Sequence, residues 1–354
     1  MFLEFYGLRE QPFGVTPDPR FLYLSPAHRE ALASLYYGVE AERGFLALIA
    51  KPGMGKTTLL FHLLEKFRHH ARTVFLFQTQ CNSREFMRFL LTELGVERPG
   101  QDLVDLHEQF NKMLLQESQA GRRFIVVIDE AQNLDAAVLE TIRLLSDFET
   151  PKAKLLQIIL AGQPELADKL ASPRLAQFRQ RISLLNGLAP LSVEETSRYV
   201  GHRLRVAGYI GEPLFAPPAL KAVAEFSAGI PRNINNYCFN ALSLGFALGR
   251  KTVDLSMVEE VIHDLDMSLH VSENGSAKAG IPALKTGAVA FAPVGLTGGE
   301  TEILPGPSAP GLNDNVPGRL TPAEAIAYMQ KLSSQLKAVQ SKAAQLKAAR
   351  SSGR

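Results

Sequence analysis

Apolar residues in the first half of the chain form short continuous runs, separated by longer stretches in which they recur at helical spacing. Runs that are apolar at every position are typical of strands in a parallel sheet that helices cover on both faces. The pattern therefore predicts a doubly wound α/β fold between about residues 40 and 190. The predicted strands are 45–50, 73–79, 124–128 and 155–161, and the predicted helices are 57–67, 83–94, 103–119 and 136–147.

The strand pattern stops at Leu191, and helical spacing continues alone. Ser192 and Glu195 have the spacing of a capping box, in which each side chain satisfies a backbone amide at the start of a helix. That helix is predicted to reach about residue 206, and further helices are predicted at 218–227, 232–248 and 255–267. We therefore expect an α/β domain over residues 1–190 and a small all-helical lid domain over 191–268.

The composition of the chain changes near residue 270. Residues 272–319 are rich in Gly, Pro, Ala and Ser, and such segments bury too little apolar surface to offset the entropy of ordering. We expect a disordered linker over 269–320. Residues 321–350 carry apolar residues at alternating spacings of three and four, as in a heptad seam. This segment is predicted to be a solvated helix, a short coiled coil or a helix that docks on a protein partner.

Composition also bears on the class of protein. The 354 residues are 46% hydrophobic and 21% charged, with a formal net charge of +2, which is ordinary for a globular chain and says little about its partners. Two cysteines do not support a disulfide framework or a zinc site. The N-terminus lacks the features of a secretion signal, and no apolar run is long enough to span a membrane. We expect a cytoplasmic protein without a transmembrane segment.

Residues 50–58, AKPGMGKTT, follow the first predicted strand and open the next predicted helix. At this position, the backbone amides of a glycine-containing loop can cradle the β-phosphate of a nucleotide. Lys56 would bind the β- and γ-phosphates, and the Thr57 hydroxyl would bind Mg²⁺. Ala50 replaces the usual first glycine, where a small residue only turns the chain. The motif predicts a P-loop that binds ATP and Mg²⁺ through Pro52, Gly53, Met54, Gly55, Lys56, Thr57 and Thr58.

Polar residues follow two later strands. The run FIVVIDEAQ ends a strand with Asp129 and Glu130, about 70 residues after the P-loop. Asp129 can hold Mg²⁺, directly or through water, and Glu130 can activate the attacking water as a general base. In LLQIILAGQPEL, Gln163 either orients that water near the γ-phosphate or caps the next helix. The acidic pair Asp129–Glu130 favours an ATP hydrolase that couples turnover to movement.

Two further segments carry arginines. Arg174, Arg179 and Arg181 lie at the end of a predicted helix, just before the next strand. Arg181, and after it Arg179, is our choice for an arginine finger that reaches a neighbouring subunit; the alternative is a solvated basic helix end. Arg232 in GIPRNIN opens a helix of the lid domain, where it either contacts the γ-phosphate or is an ordinary first-turn residue.

These elements, in this order, resemble those of the AAA+ ATPases. The N-terminal run YGLREQPFGVTPDPRFLYLSPAHREALASLYYGV, together with GQPEL, RQRI and GIPRNIN, is similar to the ExeA-type group, named for general secretion pathway component A. The resemblance covers about residues 1–268. It implies a ring-like homo-oligomer with nucleotide at the subunit interfaces, and it implies that Pro12, Phe13 and Tyr23 pack beside the adenine. Secretion members of the group continue into a membrane span and a peptidoglycan-binding module, and neither is predicted here.

Three functions are compatible with these features. The first is an ATPase that energises a secretion or polysaccharide-export machine from the cytoplasm, held near the inner membrane by a partner. The second is a DNA-linked regulator similar to the transposition ATPases. Nucleic acid is not favoured as a partner, because the sequence shows no C-terminal helix-turn-helix or zinc motif and its net charge is only +2. The third is a nucleotide-controlled scaffold, which Glu130 disfavours.

Overall fold

The computed structural model describes residues 1–14, 18–77, 80–147, 149–150 and 153–274. The strands are β1 (Phe45–Ile49), β2 (Ala71–Leu76), β3 (Arg123–Ile128), β4 (Glu149–Thr150), β5 (Ala153–Lys154), β6 (Leu156–Gly162) and β7 (Ile182–Gly187). The helices up to β7 are α1 (Phe2–Tyr6), α2 (Pro26–Glu40), α3 (Lys56–Phe67), α4 (Ser83–Glu93), α5 (Leu103–Gln119), α6 (Ala136–Leu145), α7 (Pro164–Ala171) and α8 (Ala176–Arg181). The later helices are α9 (Val193–Val206), α10 (Pro217–Phe226), α11 (Pro231–Ala247) and α12 (Leu255–Asn274).

Five strands form a parallel sheet in the order β2-β3-β6-β1-β7. The predicted α/β class is therefore confirmed, and β3 pairs with β6. The carboxyl ends of parallel strands meet at one edge of a sheet, where ligands bind. Ile49 of β1 pairs with Gly162 of β6, and Ile128 of β3 pairs with Leu160. This register brings together the segments that follow β1, β3 and β6, which carry the predicted chemistry.

Helices cover both faces of the sheet, which explains the continuous apolar strands. In β3, Phe124, Val126 and Ile128 face a core built with α4, α5, α6 and α8, whereas Ile125 and Val127 face a core built with α2 and α3. The apolar residues of β3 are therefore removed from water on both faces of the sheet, and full burial of such a side chain contributes about 1.5–3 kcal/mol.

Helices α9 to α12 follow the sheet and form the helical region, which has a core of its own. The capping box of Ser192 and Glu195 is confirmed, with both reciprocal hydrogen bonds present. The N-terminal segment comprises the described residues before β1, and its first part, up to Tyr23, also packs into this core. Tyr6 Oη donates to the carbonyl of Leu242 at 2.7 Å. The start of the chain is thus fixed to the helical region.

Several elements differ from the predicted ones. Helices α1 and α2 were not anticipated, although Ser25 caps α2 and Pro26 occupies its first turn. Strand β7 was expected after the arginine segment without bounds, and the short antiparallel pair β4–β5 was not expected. Helix α12 runs to Asn274. The linker and tail helix predicted for later residues lie outside the part of the chain that the structure describes. No helix within that part is long and apolar enough to cross a membrane.

His62 in α3 makes the stability of the fold dependent on pH. Its side chain is 6% exposed, and its Nε2 atom has no hydrogen-bond partner among the described residues. Burial, and after it the charge of Lys66, lowers the pKa of His62 from 6.5 to about 4. The folded protein therefore binds fewer protons than the unfolded chain between these two pH values, so the free energy of unfolding falls as the pH falls through this window.

We expect His62→Leu to remove about 3 kcal/mol of this pH-dependent loss, because one pKa unit corresponds to about 1.4 kcal/mol. The measurement is the free energy of unfolding by urea at pH 7 and at pH 4. His69, which is exposed, supplies the control His69→Leu. An unchanged pH dependence in His62→Leu would mean that other groups cause it.

Candidate active site

A pocket of about 250 Å³ lies at the carboxyl edge of the sheet, between the sheet, the N-terminal segment and the helical region. Three groups of residues line it. Residues 52–58, Glu130 and Gln163 come from the α/β part, and Arg232, Tyr199 and Asn235 come from the helical part. Tyr23 and His28 come from the N-terminal segment. The structure therefore brings most of the predicted site residues to one place.

The loop after β1 has the backbone that its glycines require. Gly53 and Gly55 have φ values of 78° and 85°, in the left-handed region that side chains rarely adopt. A Cβ atom on Gly53 would also lie 2.7 Å from Cβ of Arg232. Glycine at position 53 therefore lets the loop turn and lets the helical region approach it.

Lys56 is almost completely buried beneath this loop. Its Nζ donates to the carbonyls of Ala50 at 2.9 Å and Lys51 at 3.4 Å. Burial lowers the pKa of Lys56, opposed by the charges of Glu130 and Asp129. Among the described residues, the ammonium group donates to neutral carbonyls alone. An anionic ligand would therefore stabilise it in a pocket that lowers its pKa.

Thr57 and Asp129 present oxygen atoms side by side. The Thr57 hydroxyl donates to Oδ2 of Asp129 at 2.5 Å, and Oδ1 of Asp129 accepts from the amide of Glu130 at 2.9 Å. A hydroxyl and a carboxylate are hard oxygen donors of the kind that Mg²⁺ prefers, with remaining positions filled by water and phosphate oxygens. The donor set therefore fits magnesium.

Glu130 adopts a left-handed backbone conformation, with φ of 53°, which is uncommon for a residue other than glycine. Its Oε2 atom accepts from Nε2 of Gln132 at 2.6 Å and from Nε2 of Gln163 at 3.1 Å. Burial raises the pKa of Glu130, but these two bonds and the charges of Lys56 and Arg232 outweigh it, so the pKa is lowered. Glu130 is therefore a carboxylate at neutral pH, held in one orientation.

Gln163 makes this bond instead of capping α7. The N-terminus of α7 carries no side-chain cap, although Gln163 occupies the capping position. Sequence reasoning missed Gln132, whose Oε1 also accepts from the backbone amide of Gln163 at 3.1 Å. Lys169 in turn donates to the carbonyls of Gln132 and Leu134. The position two residues after Glu130 was visible in the motif, but its partners come from another strand.

The predicted arginines fall into two groups. Arg232 lines the pocket, and its backbone amide donates to the carbonyl of Gly53 at 3.2 Å. Arg181 directly precedes β7, whose first residue pairs with Phe45 at the start of β1. Because β1 is five residues long, roughly 17 Å, Arg181 lies at the opposite edge of the sheet from the P-loop.

Arg181 and Arg179 therefore do not line the pocket of their own chain. Arg181 forms an ion pair with Asp147, with Nη2 to Oδ1 at 2.5 Å. Arg179 is exposed and donates to the carbonyl of Ala171 at 3.2 Å. Arg174 is exposed as well.

The N-terminal segment contacts the pocket through residues that differ in part from those expected. Tyr23 lines the pocket. Phe13 instead packs in the helical core, with its ring centroid 6.2 Å from that of Phe215, and Pro12 contributes a carbonyl to Arg203. Pro12 and Phe13 therefore do not line the pocket, because they are buried against the helical region.

His28 joins this segment to the P-loop. Its two ring nitrogens lie 2.8 Å from Oγ of Ser25 and 2.9 Å from the carbonyl of Met54. Burial lowers the pKa of His28 despite the bond to Met54. The neutral ring can then donate to Met54 and accept from Ser25, which ties the start of α2 to the phosphate loop.

The strand order, the loop after β1 and the acidic pair after β3 define a P-loop NTPase. Residues 39–170 match the family model of the AAA domain, and this part of the chain is an AAA domain. It is 36% identical over 298 residues to General secretion pathway protein A of Aeromonas hydrophila. The alignment covers 82% of this chain and 53% of that protein, so the chain spans about half the length of this curated relative. The predicted resemblance to the ExeA-type group is confirmed.

Solved structures share the fold at low sequence identity. The Aeropyrum pernix ORC2 protein, in its ADPNP-ADP complexes, has a TM-score of 0.55 and 15% identity, with 72% of this chain and 71% of that chain covered. Drosophila ORC bound to DNA has a TM-score of 0.55 and 17% identity, with 78% and 69% covered. At this level of identity, the likeness concerns the fold alone.

Proposed function

We propose that this chain binds Mg-ATP in the pocket and hydrolyses it. The observation that carries the proposal is the bond between Thr57 and Asp129, which joins the phosphate loop to the acidic pair. It lies in the same site as Lys56, Glu130 and Arg232. A cation for the phosphates, oxygen ligands for a metal and a base for water are thereby close together, as phosphoryl transfer requires.

Each side chain has a distinct role in this proposal. Lys56 exchanges its bonds to two carbonyls for charge-assisted bonds to phosphate oxygens, which are stronger. Backbone amides of the loop from Gly53 to Thr58 bind the β-phosphate. Thr57 and Asp129 hold Mg²⁺, which neutralises charge on the phosphate oxygens when bound. Glu130 is ionised, since its pKa is lowered, and as a carboxylate it accepts a proton from the attacking water.

Gln163 and Arg232 connect this chemistry to movement. Gln163 holds Glu130 and stands at the end of β6, so it can respond to the γ-phosphate and reposition the base. Arg232 reaches the γ-phosphate from α11, which also bonds to the loop at Gly53. A change in nucleotide state would thereby pull or release the helical region.

We further propose that catalysis is completed in a homo-oligomer. Arg181 lies too far from the pocket of its own chain to act there, and it is partly exposed at the edge of the sheet. It can therefore serve a neighbouring subunit as an arginine finger, with Arg179 as the second candidate.

The client proposed for this ATPase is a secretion or polysaccharide-export machine. The support is the similarity to a relative named for the general secretion pathway. The proposal includes a cytoplasmic location beside the inner membrane and a protein partner bound through residues 321–350. Duplex-DNA binding that falls steeply with salt would instead favour the DNA-linked regulator.

Replacing Lys56 by alanine is expected to abolish ATP binding in the working range, a loss of about a hundredfold or more, because charge-assisted bonds to phosphate contribute about 1.5–3 kcal/mol each. The measurement is a titration with a fluorescent ATP analogue. Lys51→Ala is the matched control, since Lys51 is an exposed lysine of the same loop outside the pocket lining. Equal affinity of Lys56→Ala and the unaltered protein would refute the proposal.

A further inference from the structure

A directed series of hydrogen bonds runs through the helical region to the pocket. Arg203 Nη1 donates to Tyr199 Oη at 2.9 Å, and Tyr199 Oη donates to Oδ1 of Asn235 at 2.8 Å. A guanidinium group can only donate. Tyr199 therefore accepts from Arg203, and its own buried hydrogen would lose its acceptor if Asn235 turned its amide nitrogen towards it, so Asn235 presents its carbonyl oxygen. The order of donors fixes the orientation of the Asn235 amide.

The origin of this series is firmly held. Arg203 is 8% exposed, its Nε donates to the carbonyl of Pro12 at 2.5 Å, and its guanidinium lies 4.7 Å from the ring centre of Phe21. Burial raises the pKa of Tyr199, which keeps its hydroxyl protonated and able to donate. Because its first member is anchored by the N-terminal segment, the series holds the Asn235 amide in a single orientation.

Asn235 ends the series with a donor to spare. It lines the pocket although only 8% of it is exposed, and Nδ2 makes no hydrogen bond to the described residues. Asn235 lies one turn after Arg232 on α11, about 4.5 Å further along the axis. Arg232 is next to the phosphate loop, since its backbone amide donates to the carbonyl of Gly53. Asn235 instead bonds to Tyr199, whose ring packs against that of Tyr23. The free amide is therefore on the side of the pocket that the base would occupy.

We infer that Asn235 recognises the base, by donating Nδ2–H to a ring nitrogen of adenine, with Tyr199 and Arg203 as positioning residues. This inference rests on the proposed function, since it requires a nucleotide in the pocket. Adenine offers acceptors at N1, N3 and N7, whereas its exocyclic amine donates and cannot pair with an amide N–H. Only a ring nitrogen therefore matches the donor that the series of hydrogen bonds leaves free.

The test compares ATP with its 1-deaza, 3-deaza and 7-deaza analogues, each of which replaces one ring nitrogen by C–H. We expect the unaltered protein to bind one analogue about three- to tenfold more weakly than ATP, the value of one neutral hydrogen bond. Asn235→Leu should bind that analogue and ATP equally. Asn235→Asp is the second variant, because it retains an acceptor for Tyr199 but has no N–H. Since the ratio of two affinities is compared, the effect of its charge on the phosphates cancels.

Asn236→Leu is the matched control, since Asn236 also lines the pocket but lies outside the series of hydrogen bonds. It should keep the preference of the unaltered protein. If all three analogues bind like ATP, or if Asn235→Leu retains the preference or Asn236→Leu loses it, the inference is wrong while ATP binding stands. If neither ATP nor tripolyphosphate binds, the proposed function fails, and the base contact fails with it.

Tyr199→Phe tests the positioning role separately. It retains the ring and removes the hydroxyl that orients the amide. The ratio of the affinity for ATP to that for the weaker deaza analogue should therefore approach one, while the affinity for tripolyphosphate stays unchanged. A full preference in Tyr199→Phe would show that the amide needs no orientation by Tyr199 and would overturn that role.

Discussion

Glu130→Gln is expected to bind ATP normally and to hydrolyse it about 10²–10⁴-fold more slowly, the usual contribution of a general base. The substitution keeps the size of the side chain and its ability to accept from Gln132 and Gln163. It removes only the negative charge and the ability to take up a proton, which Glu130 has at neutral pH because its lowered pKa keeps it ionised. The measurements are phosphate release in the steady state and a nucleotide titration on the same preparation.

Glu165→Gln is the control for this prediction. Glu165 is an exposed acid in the first turn of α7, and it is near enough to Lys56 to contribute to that residue's electrostatic environment. Loss of its charge should leave turnover unchanged. Turnover by Glu130→Gln at the rate of the unaltered protein would mean that another group activates the water.

Arg181→Ala is expected to bind ATP and to lose about 10³–10⁵-fold in turnover, the contribution of an arginine finger. Its position at the amino edge of the sheet makes a role in its own pocket impossible without a large rearrangement. Mixing Arg181→Ala with Lys56→Ala should partly restore activity, because Lys56→Ala subunits can offer Arg181 to the intact pockets of the others. The measurement is the ATPase rate against mixing ratio at fixed total protein.

Two further variants sharpen this test. Arg179→Ala distinguishes the two candidate fingers, which lie two residues apart. Asp147→Asn breaks the ion pair that holds Arg181; exposed ion pairs contribute only about 0–1 kcal/mol, so turnover should be retained. If Arg181→Ala and Lys56→Ala co-assemble but their mixtures show only the summed activity of the two separate variants, the proposal that Arg181 acts in a neighbouring subunit is wrong.

The sequence alone predicted the parts of the site that lie directly after strands. Gly53 to Thr58 and the pair Asp129–Glu130 follow apolar runs, and carboxyl ends of parallel strands meet at one edge, so local pattern and sheet geometry were sufficient. The capping box at Ser192 was predictable for a similar reason, because both partners lie within one turn.

Some local signals were present and missed. Ser25 and Pro26 mark the start of α2, and Ala31, Leu32, Leu35 and Val39 follow at helical spacing. The residues before them are rich in Pro and Gly, so this part of the chain was interpreted as turns and the helix was not predicted. Strand β7 alternates partly buried and exposed residues at the sheet edge, so it lacks the continuous apolar character of the other strands.

What the sequence determined by itself is therefore the chemistry carried by short segments: a phosphate loop, an acidic pair and the periodicity of the strands and helices around them. Only the tertiary structure decided which distant side chains meet. Gln132 with Gln163, Arg181 with Asp147, and Arg203 with Tyr199 and Asn235 are joined by packing of separate elements. The physical reason is that spacing along a chain specifies which neighbours share a helix face or a strand end. Contacts between elements depend instead on the order of strands and on how the N-terminal segment and helical region close over the sheet.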